Sequence, residues 1–287
     1  MRGGQWQAFY LLRGLAKAGH GVRLLAPAAS PLLQAAQSQQ LDARPWRWKT
    51  LPAALSGVDL VHAHDARAHT LAAFLAKPAV VSRRVAFPVG RGWPSRWKYR
   101  RAAQFIAVSE CVKGTLLDAG VPAERVAVIY DGVPSPAEEL REERTQVVAL
   151  DSDDPGKGKR AIEQAAALVG VPVHFSKNLT RDLTRAALFV YITDSEGLGS
   201  AALLAMAYGA PVLASRVGGL PEIVQDGVTG LLTSNQPADI ARAIQHVLSD
   251  SGLAARLAAR AKTRVEKEFS IERMVSGTLR IYERILS

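Results

Sequence analysis

Short apolar runs of strand length recur along the chain, each followed by a polar or glycine-bearing turn and then a longer helix-forming stretch. The runs cover residues 22–26, 59–63, 79–82, 105–108, 126–130, 147–150, 171–175, 188–192, 212–214 and 230–232. Helical patterns over 6–18, 30–40, 110–119, 159–168, 201–208 and 237–248 lie between or after them, and two amphipathic stretches, 253–269 and 271–286, close the chain. Strands alternating with helices predict an α/β protein with parallel sheets. The chain has no internal repeat and no low-complexity segment.

The pattern is sharpest over residues 188–224. An apolar run predicts a buried strand, and Asp194-Ser195-Glu196-Gly197-Leu198-Gly199-Ser200 predicts a turn whose glycines admit a ligand close to the backbone. A helix rich in Ala, Leu and Met ends at Gly209, with Pro211 just beyond, and leads into the next strand. A second turn, Gly218-Gly219, passes through Pro221 into another helix. Such a βαβ unit carries its loops at the carboxyl ends of the strands, the edge where open α/β sheets bind ligands. The first N–H groups of the helix, near Gly199 and Ser200, have no intrahelical partners and suit phosphate oxygens.

These blocks resemble the donor-site signature of the family 4 retaining glycosyltransferases. The matching residues are Glu196-Gly197-Leu198-Gly199, then 205–215 (AMAYGAPVLAS), then Gly218-Gly219-Leu220-Pro221-Glu222-Ile223-Val224. Three blocks in order over about 30 residues form a specific signal. The resemblance implies the GT-B fold, two Rossmann-like parallel-sheet domains facing a cleft. It places an acceptor-side domain at 1–136, a nucleotide-sugar domain at 137–270 and a last helix, 271–287, returning to the first domain. The segment 134–144, with two prolines and six charges, reads as the linker. The family carries a strand before the pair Gly3-Gly4, and between residues 168 and 188 it normally has two strands and a helix, where this chain has only the run 171–175 and a short helix near 182–187, one strand–helix unit fewer. The expected fold therefore lacks the first N-domain strand and has a reduced C-domain.

Composition narrows the class. Of 287 residues, 48% are hydrophobic and 22% charged, as in a globular protein, and no run reaches the roughly 18 to 20 apolar residues of a membrane span. The start, MRGGQWQ, lacks the apolar core of a signal peptide, and one cysteine, Cys111, excludes an internal disulfide, so a cytoplasmic location is expected. Residues 1–135 hold 18 Lys and Arg against 7 Asp and Glu, so the net charge of +10 resides in that half. Its most basic stretch, 83–101, interleaves Arg83, Arg84, Arg91, Arg96, Lys98, Arg100 and Arg101 with Phe87, Trp93, Trp97 and Tyr99. Cations beside aromatics suit an anionic glycolipid or glycan acceptor and a peripheral contact with the inner face of the cell membrane. Single-stranded nucleic acid would stack on the same groups but is the weaker expectation. A solvated loop anchored by its tryptophans remains open.

The resemblance also assigns roles. Glu196 binds sugar hydroxyls; Gly197, Leu198, Gly199 and Ser200 offer backbone N–H groups; Lys157 of the Lys157-Gly158 pair neutralises the leaving diphosphate; His64 and the Gly3-Gly4 loop close the site from the other domain. Catalytic weight falls on His64, Glu196 and Lys157. His62, His64 and His69 lack a zinc arrangement, and the expected co-substrate is a nucleotide-sugar with no essential metal and no cofactor. Two positions depart from the family. Ser152 replaces an arginine, for which Lys159 or Arg160 would compensate, and Leu204 replaces a second glutamate that grips ribose. The implied reaction moves a sugar to an acceptor hydroxyl in lipopolysaccharide, glycolipid or other cell-envelope glycan synthesis. The alternative is a catalytically impaired or partner-dependent GT-B protein that binds a glycan or nucleotide; a sugar-nucleotide epimerase of the same fold is a weaker third.

Overall fold

The computed structural model describes residues 1, 3–90, 92–136 and 143–287. Arg91 and residues 137–142 of the expected linker lie outside the described residues. The chain divides into two compact units: Met1–Val108, Lys113–Gly132 and Ile271–Ser287 form the first, and Ser109–Val112 with Val133–Ser270 the second.

In the first unit every strand pairs in parallel, with helices between successive strands. Strands β1 (Leu24–Ala26) and β2 (Ala43–Pro45) make a two-stranded sheet. Strands β3 (Val61–Ala63), β4 (Ala79–Arg83), β5 (Gln104–Ala107) and β6 (Val126–Val128) make a second sheet in sequence order. The expectation of an incomplete N-terminal sheet agrees with this division, for β1 pairs with β2 but not with β3 among the described residues.

Gly3 and Gly4, expected in a loop, are instead the first two residues of the helix Gly3–Lys17. That helix buries Ala8, Phe9, Leu11, Leu12 and Leu15, spaced so that they fall on one side. Leu11 and Leu15 pack on Met274 and Val275 of the helix Ile271–Leu286, and Ile281 of that helix packs on Val80 of β4 and Ile106 of β5. The last helix is thus part of the first unit's core.

The second unit holds five parallel strands, β7 (Gln146–Leu150), β8 (Val173–Ser176), β9 (Ala186–Tyr191), β10 (Val212–Ser215) and β11 (Leu231–Thr233), in the spatial order β11-β10-β9-β7-β8. Apolar runs such as Leu188, Phe189 and Val190 are wholly buried, because helices cover both faces of a parallel sheet. Ile162 of the helix Lys159–Val169 and Ile240, Ile244 and Val247 of the helix Pro237–Ser249 close one face. The strand order reverses between β7 and β9, since β8 lies to one side of β7 and β9 to the other. Loops leaving the carboxyl ends of two strands at such a reversal diverge and leave a crevice for a ligand.

Candidate active site

The two loops at that reversal carry Lys157 and Glu196. After β7 the chain enters the short turn Pro155–Lys157, where the Asp154 side chain accepts from the Gly156 N–H at 3.0 Å. After β9, the Asp194 N–H and the Thr193 hydroxyl both donate to the Gly156 carbonyl, at 2.9 and 3.0 Å. These bonds join the two loops. Lys157 Nζ then lies 3.0 Å from Glu196 Oε2. The Tyr191 hydroxyl also donates to Glu196 Oε2, and the Gly197 N–H donates to Oε1 at 3.1 Å. The carboxylate is held at both oxygens by three donors.

The Gly218-Gly219 turn is pressed against this loop. A Cβ on Gly218 would stand 1.9 Å from the Glu196 carbonyl oxygen, and one on Gly219 would stand 2.2 Å from that of Gly197. Gly218 also has φ +56°, a left-handed conformation that side chains disfavour. Only glycines let two backbones approach so closely. Gly199, at φ +108°, turns the chain into the helix Ser200–Ala207. Its Leu198 neighbour points into the core at 2% exposure, so Leu198 offers a ligand its backbone alone. Behind the loop, the buried Ser215 hydroxyl accepts from the Thr193 N–H at 2.8 Å and donates to Asn235 Oδ1 at 2.6 Å. Asn235 Nδ2 donates back to Thr193 O and Asp194 Oδ1. Tyr191 and Asn235 are site residues that sequence reasoning missed. For Tyr191 the signal was its place as the last residue of a buried strand five positions before Glu196.

Lys159, expected with Arg160 to compensate for Ser152, has a carboxylate partner in the fold. Its Nζ pairs with Asp151 Oδ1 at 2.7 Å, an ion pair that raises the lysine pKa and lowers that of the aspartate.

In the first unit the structure gathers Gly4, His64, Arg84 and Asp131. Arg84 Nε lies 3.2 Å from Asp131 Oδ1, and Nη1 lies 3.2 Å from His64 Nδ1. A Cβ built on Gly4 would contact Arg84 Cδ at 3.5 Å. A guanidinium only donates, so His64 Nδ1 accepts and the ring proton resides on Nε2. His62, two residues away on the same face of the strand, has its ring centroid 4.1 Å from that of His64. Its nitrogens meet the Tyr282 hydroxyl at 2.5 Å and the Ser82 hydroxyl at 2.8 Å. Burial, then the Arg84 charge, pushes the His62 pKa down to about 3. Burial, then His62 and Arg84, holds His64 well below its ordinary value, so both rings are neutral near pH 7.

The basic aromatic stretch splits. Arg84 belongs to the histidine cluster, and Arg83 donates to the Tyr99 hydroxyl at 3.0 Å and to the Phe87 carbonyl. Neither arginine therefore stands on the expected acceptor surface; both are tied down by neighbours in the fold. Trp93, Arg96, Trp97 and Arg100, on the helix Trp93–Arg101, line a shallow depression of about 320 Å³. Trp93 is 78% exposed, and Phe74, also exposed, packs its ring 4.9 Å from that of Trp97. Among the described residues no group of three His, Cys, Asp or Glu is placed to hold a metal ion, and no helix is long and apolar enough to cross a membrane.

Comparison with known proteins adds the family. Residues 1–135 match the profile described as Glycosyltransferase Family 4, and residues 137–264 that of Glycosyl transferases group 1. A D-inositol 3-phosphate glycosyltransferase of Salinispora arenicola is 41% identical over 152 residues, half of this chain and 34% of the relative. An alpha-maltose-1-phosphate synthase of Mycolicibacterium smegmatis is 34% identical over 122 residues, 40% of this chain and 31% of the relative. The matches thus span about a third of those relatives' own lengths. Among solved structures, the Anabaena Alr3699/HepE protein in complex with UDP and glucose superposes with a TM-score of 0.80 at 17% identity, covering 99% of this chain and 96% of that one. That likeness shows a shared fold.

Proposed function

Since the chain belongs to the family 4 glycosyltransferases of GT-B fold, we propose that it is a retaining enzyme moving a sugar from a nucleotide-sugar to an acceptor hydroxyl. The observation that carries this reading is the meeting of Lys157 and Glu196 at the strand-order reversal, beside the helix N-terminus that Gly199 opens. Lys157 and the amides of Gly199 and Ser200 take the diphosphate, whose charge grows as the sugar leaves. Glu196 accepts from sugar hydroxyls and fixes the anomeric carbon. His64, neutral with its proton on Nε2, donates to a sugar oxygen, and the Gly3-Gly4 end of the first helix adds N–H groups nearby. The leaving phosphate itself assists attack on the same face, so no protein nucleophile is assigned. No metal and no other cofactor is required.

The acceptor is an anionic glycolipid or glycan of the cell envelope. The exposed Trp93, Arg96 and Arg100 with the half-buried Trp97 support this and also a peripheral position at the inner membrane face, with cations for phosphate and indoles for the headgroup zone. A second reading, a protein that binds nucleotide or glycan without transfer, is favoured by Ser152 and by the partly buried Leu204, which cannot accept from ribose hydroxyls. One experiment separates the two. UDP-, GDP- and ADP-sugars are screened by calorimetry, and each binder is then assayed for sugar transfer to envelope lipid extract with and without EDTA. Binding with metal-independent transfer supports the enzyme, binding alone supports the second reading, and no binding removes both.

A further inference from the structure

Tyr191 ends β9 with only 6% of its surface exposed, yet its polar end reaches the donor loop. Its hydroxyl donates to Glu196 Oε2, the oxygen that also meets Lys157, and Lys157 Nζ lies 5.7 Å from the centre of its ring. The ring is fixed by stacking on Phe189, with centroids 6.0 Å apart and planes 17° from parallel. One buried side chain thus touches both groups assigned to the donor.

We propose that Tyr191 is a positioning residue that keeps the Glu196 carboxylate aimed at the donor sugar when Lys157 turns to the diphosphate. The inference rests on the donor reading above. A carboxylate offers about four acceptor directions, and Glu196 fills three, with Lys157, Tyr191 and the Gly197 N–H. A diphosphate must draw Lys157 away from that set. The remaining tethers, Tyr191 on Oε2 and Gly197 on Oε1, still hold one oxygen each and leave a free direction on both for sugar hydroxyls. Without the phenol, Oε2 has only Lys157, and the carboxylate follows the cation toward the phosphate. Burial, and then the neighbouring carboxylate, raise the Tyr191 pKa well above its ordinary value, so the phenol stays a donor throughout the physiological range.

Tyr191→Phe removes the hydroxyl and keeps the ring. Calorimetry compares UDP-glucose, GDP-mannose and ADP-glucose, each beside its sugar-free diphosphate, on wild type, Tyr191→Phe, Glu196→Gln and the double variant. The expected result is a loss of about tenfold in affinity for the sugar-bearing ligand, the scale of one charge-assisted hydrogen bond, with the diphosphate changed less than about twofold. Glu196→Gln is expected to abolish most of the further effect of Tyr191→Phe, and 3-fluorotyrosine at position 191, which keeps the O–H, to retain the wild-type preference. Equal losses for both ligands, no loss, or additive losses in the double variant would each overturn the role of Tyr191 while leaving the donor reading intact. Wild type that takes none of the three nucleotide-sugars overturns the donor reading and this inference with it.

Discussion

Glu196 holds Lys157 at 3.0 Å, so the cation proposed for phosphate and the carboxylate proposed for sugar neutralise each other across two loops. An incoming donor has to separate them, and its diphosphate and hydroxyls supply what each partner then lacks. Glu196→Ala removes the sugar contact and frees Lys157. The expected outcome is a fall of about a hundredfold in kcat/KM, from two or more hydrogen bonds to an ionised group. The melting temperature is expected to fall as well, because the largely buried carboxylate bonds Lys157, the buried Tyr191 hydroxyl and the Gly197 N–H. Steady-state kinetics and differential scanning fluorimetry read the two, and unchanged turnover would refute the assignment.

Gly218→Ala tests the close approach of the two glycine turns. The new Cβ meets the Glu196 carbonyl and occupies a left-handed backbone, so the Glu196 loop has to shift. Strain and overpacking together predict about 3 kcal/mol of lost stability. Nucleotide-sugar binding is expected to fall with it, whereas Gly227→Ala, at φ +71° with open space around it, costs only the conformational part. Urea unfolding of both variants gives the comparison, and equal midpoints would count against the packing argument.

The buried histidines make stability depend on pH. His62 binds a proton near pH 3 in the folded protein and near 6.5 when unfolded. Because the folded value is the lower one, this contribution is complete above about pH 6.5 and is lost as pH falls from there toward 3. His62→Gln, which cannot titrate, should flatten the acid limb of stability by up to about 1.4 kcal/mol per pH unit. Unfolding midpoints measured from pH 7 to pH 4 decide it; an unchanged slope would show that the ring is already protonated in the fold.

The split of the basic stretch predicts two different phenotypes from similar substitutions. Arg96→Gln with Arg100→Gln should weaken sedimentation with anionic vesicles, with the residual binding falling as salt rises, and leave the melting temperature unchanged. Arg83→Gln should instead lower stability by about 1 kcal/mol, since it loses bonds to Tyr99 and Phe87. Vesicle binding that survives the double substitution, or that ignores salt, would remove this surface from the acceptor account.

Residues whose roles depend on their immediate neighbours were legible in the sequence. Glu196, Gly197 and Gly199 sit between a strand and a helix, and spacing alone puts them at the sheet's ligand-binding edge. Lys157 was legible only through the resemblance of Lys157-Gly158 to the family's pair, and the fold puts it after β7, on the other side of the order reversal. Long-range partners were not legible. Nothing local says that His62 meets Tyr282, 220 positions later, or that Arg84 reaches Asp131. Consecutive arginines at the end of a strand point to opposite faces, so Arg83 and Arg84 go to different environments although the sequence shows one basic run. The Gly3-Gly4 pair was misplaced for a related reason: glycines signal a turn by composition, but the apolar spacing behind them already continues the helix to its first residue. Tyr191 was hidden by its setting, an aromatic ending an apolar strand and therefore reading as core.

The helix Ile271–Leu286 belongs to the first unit's core although the whole second unit precedes it in the chain. A chimaera that exchanges N-terminal halves with a relative at the linker alone would leave Leu11, Leu15, Val80 and Ile106 facing a foreign helix. Cloning boundaries for such exchanges have to be drawn twice, once near residue 133 and again near residue 270, so that the last helix travels with the half it completes.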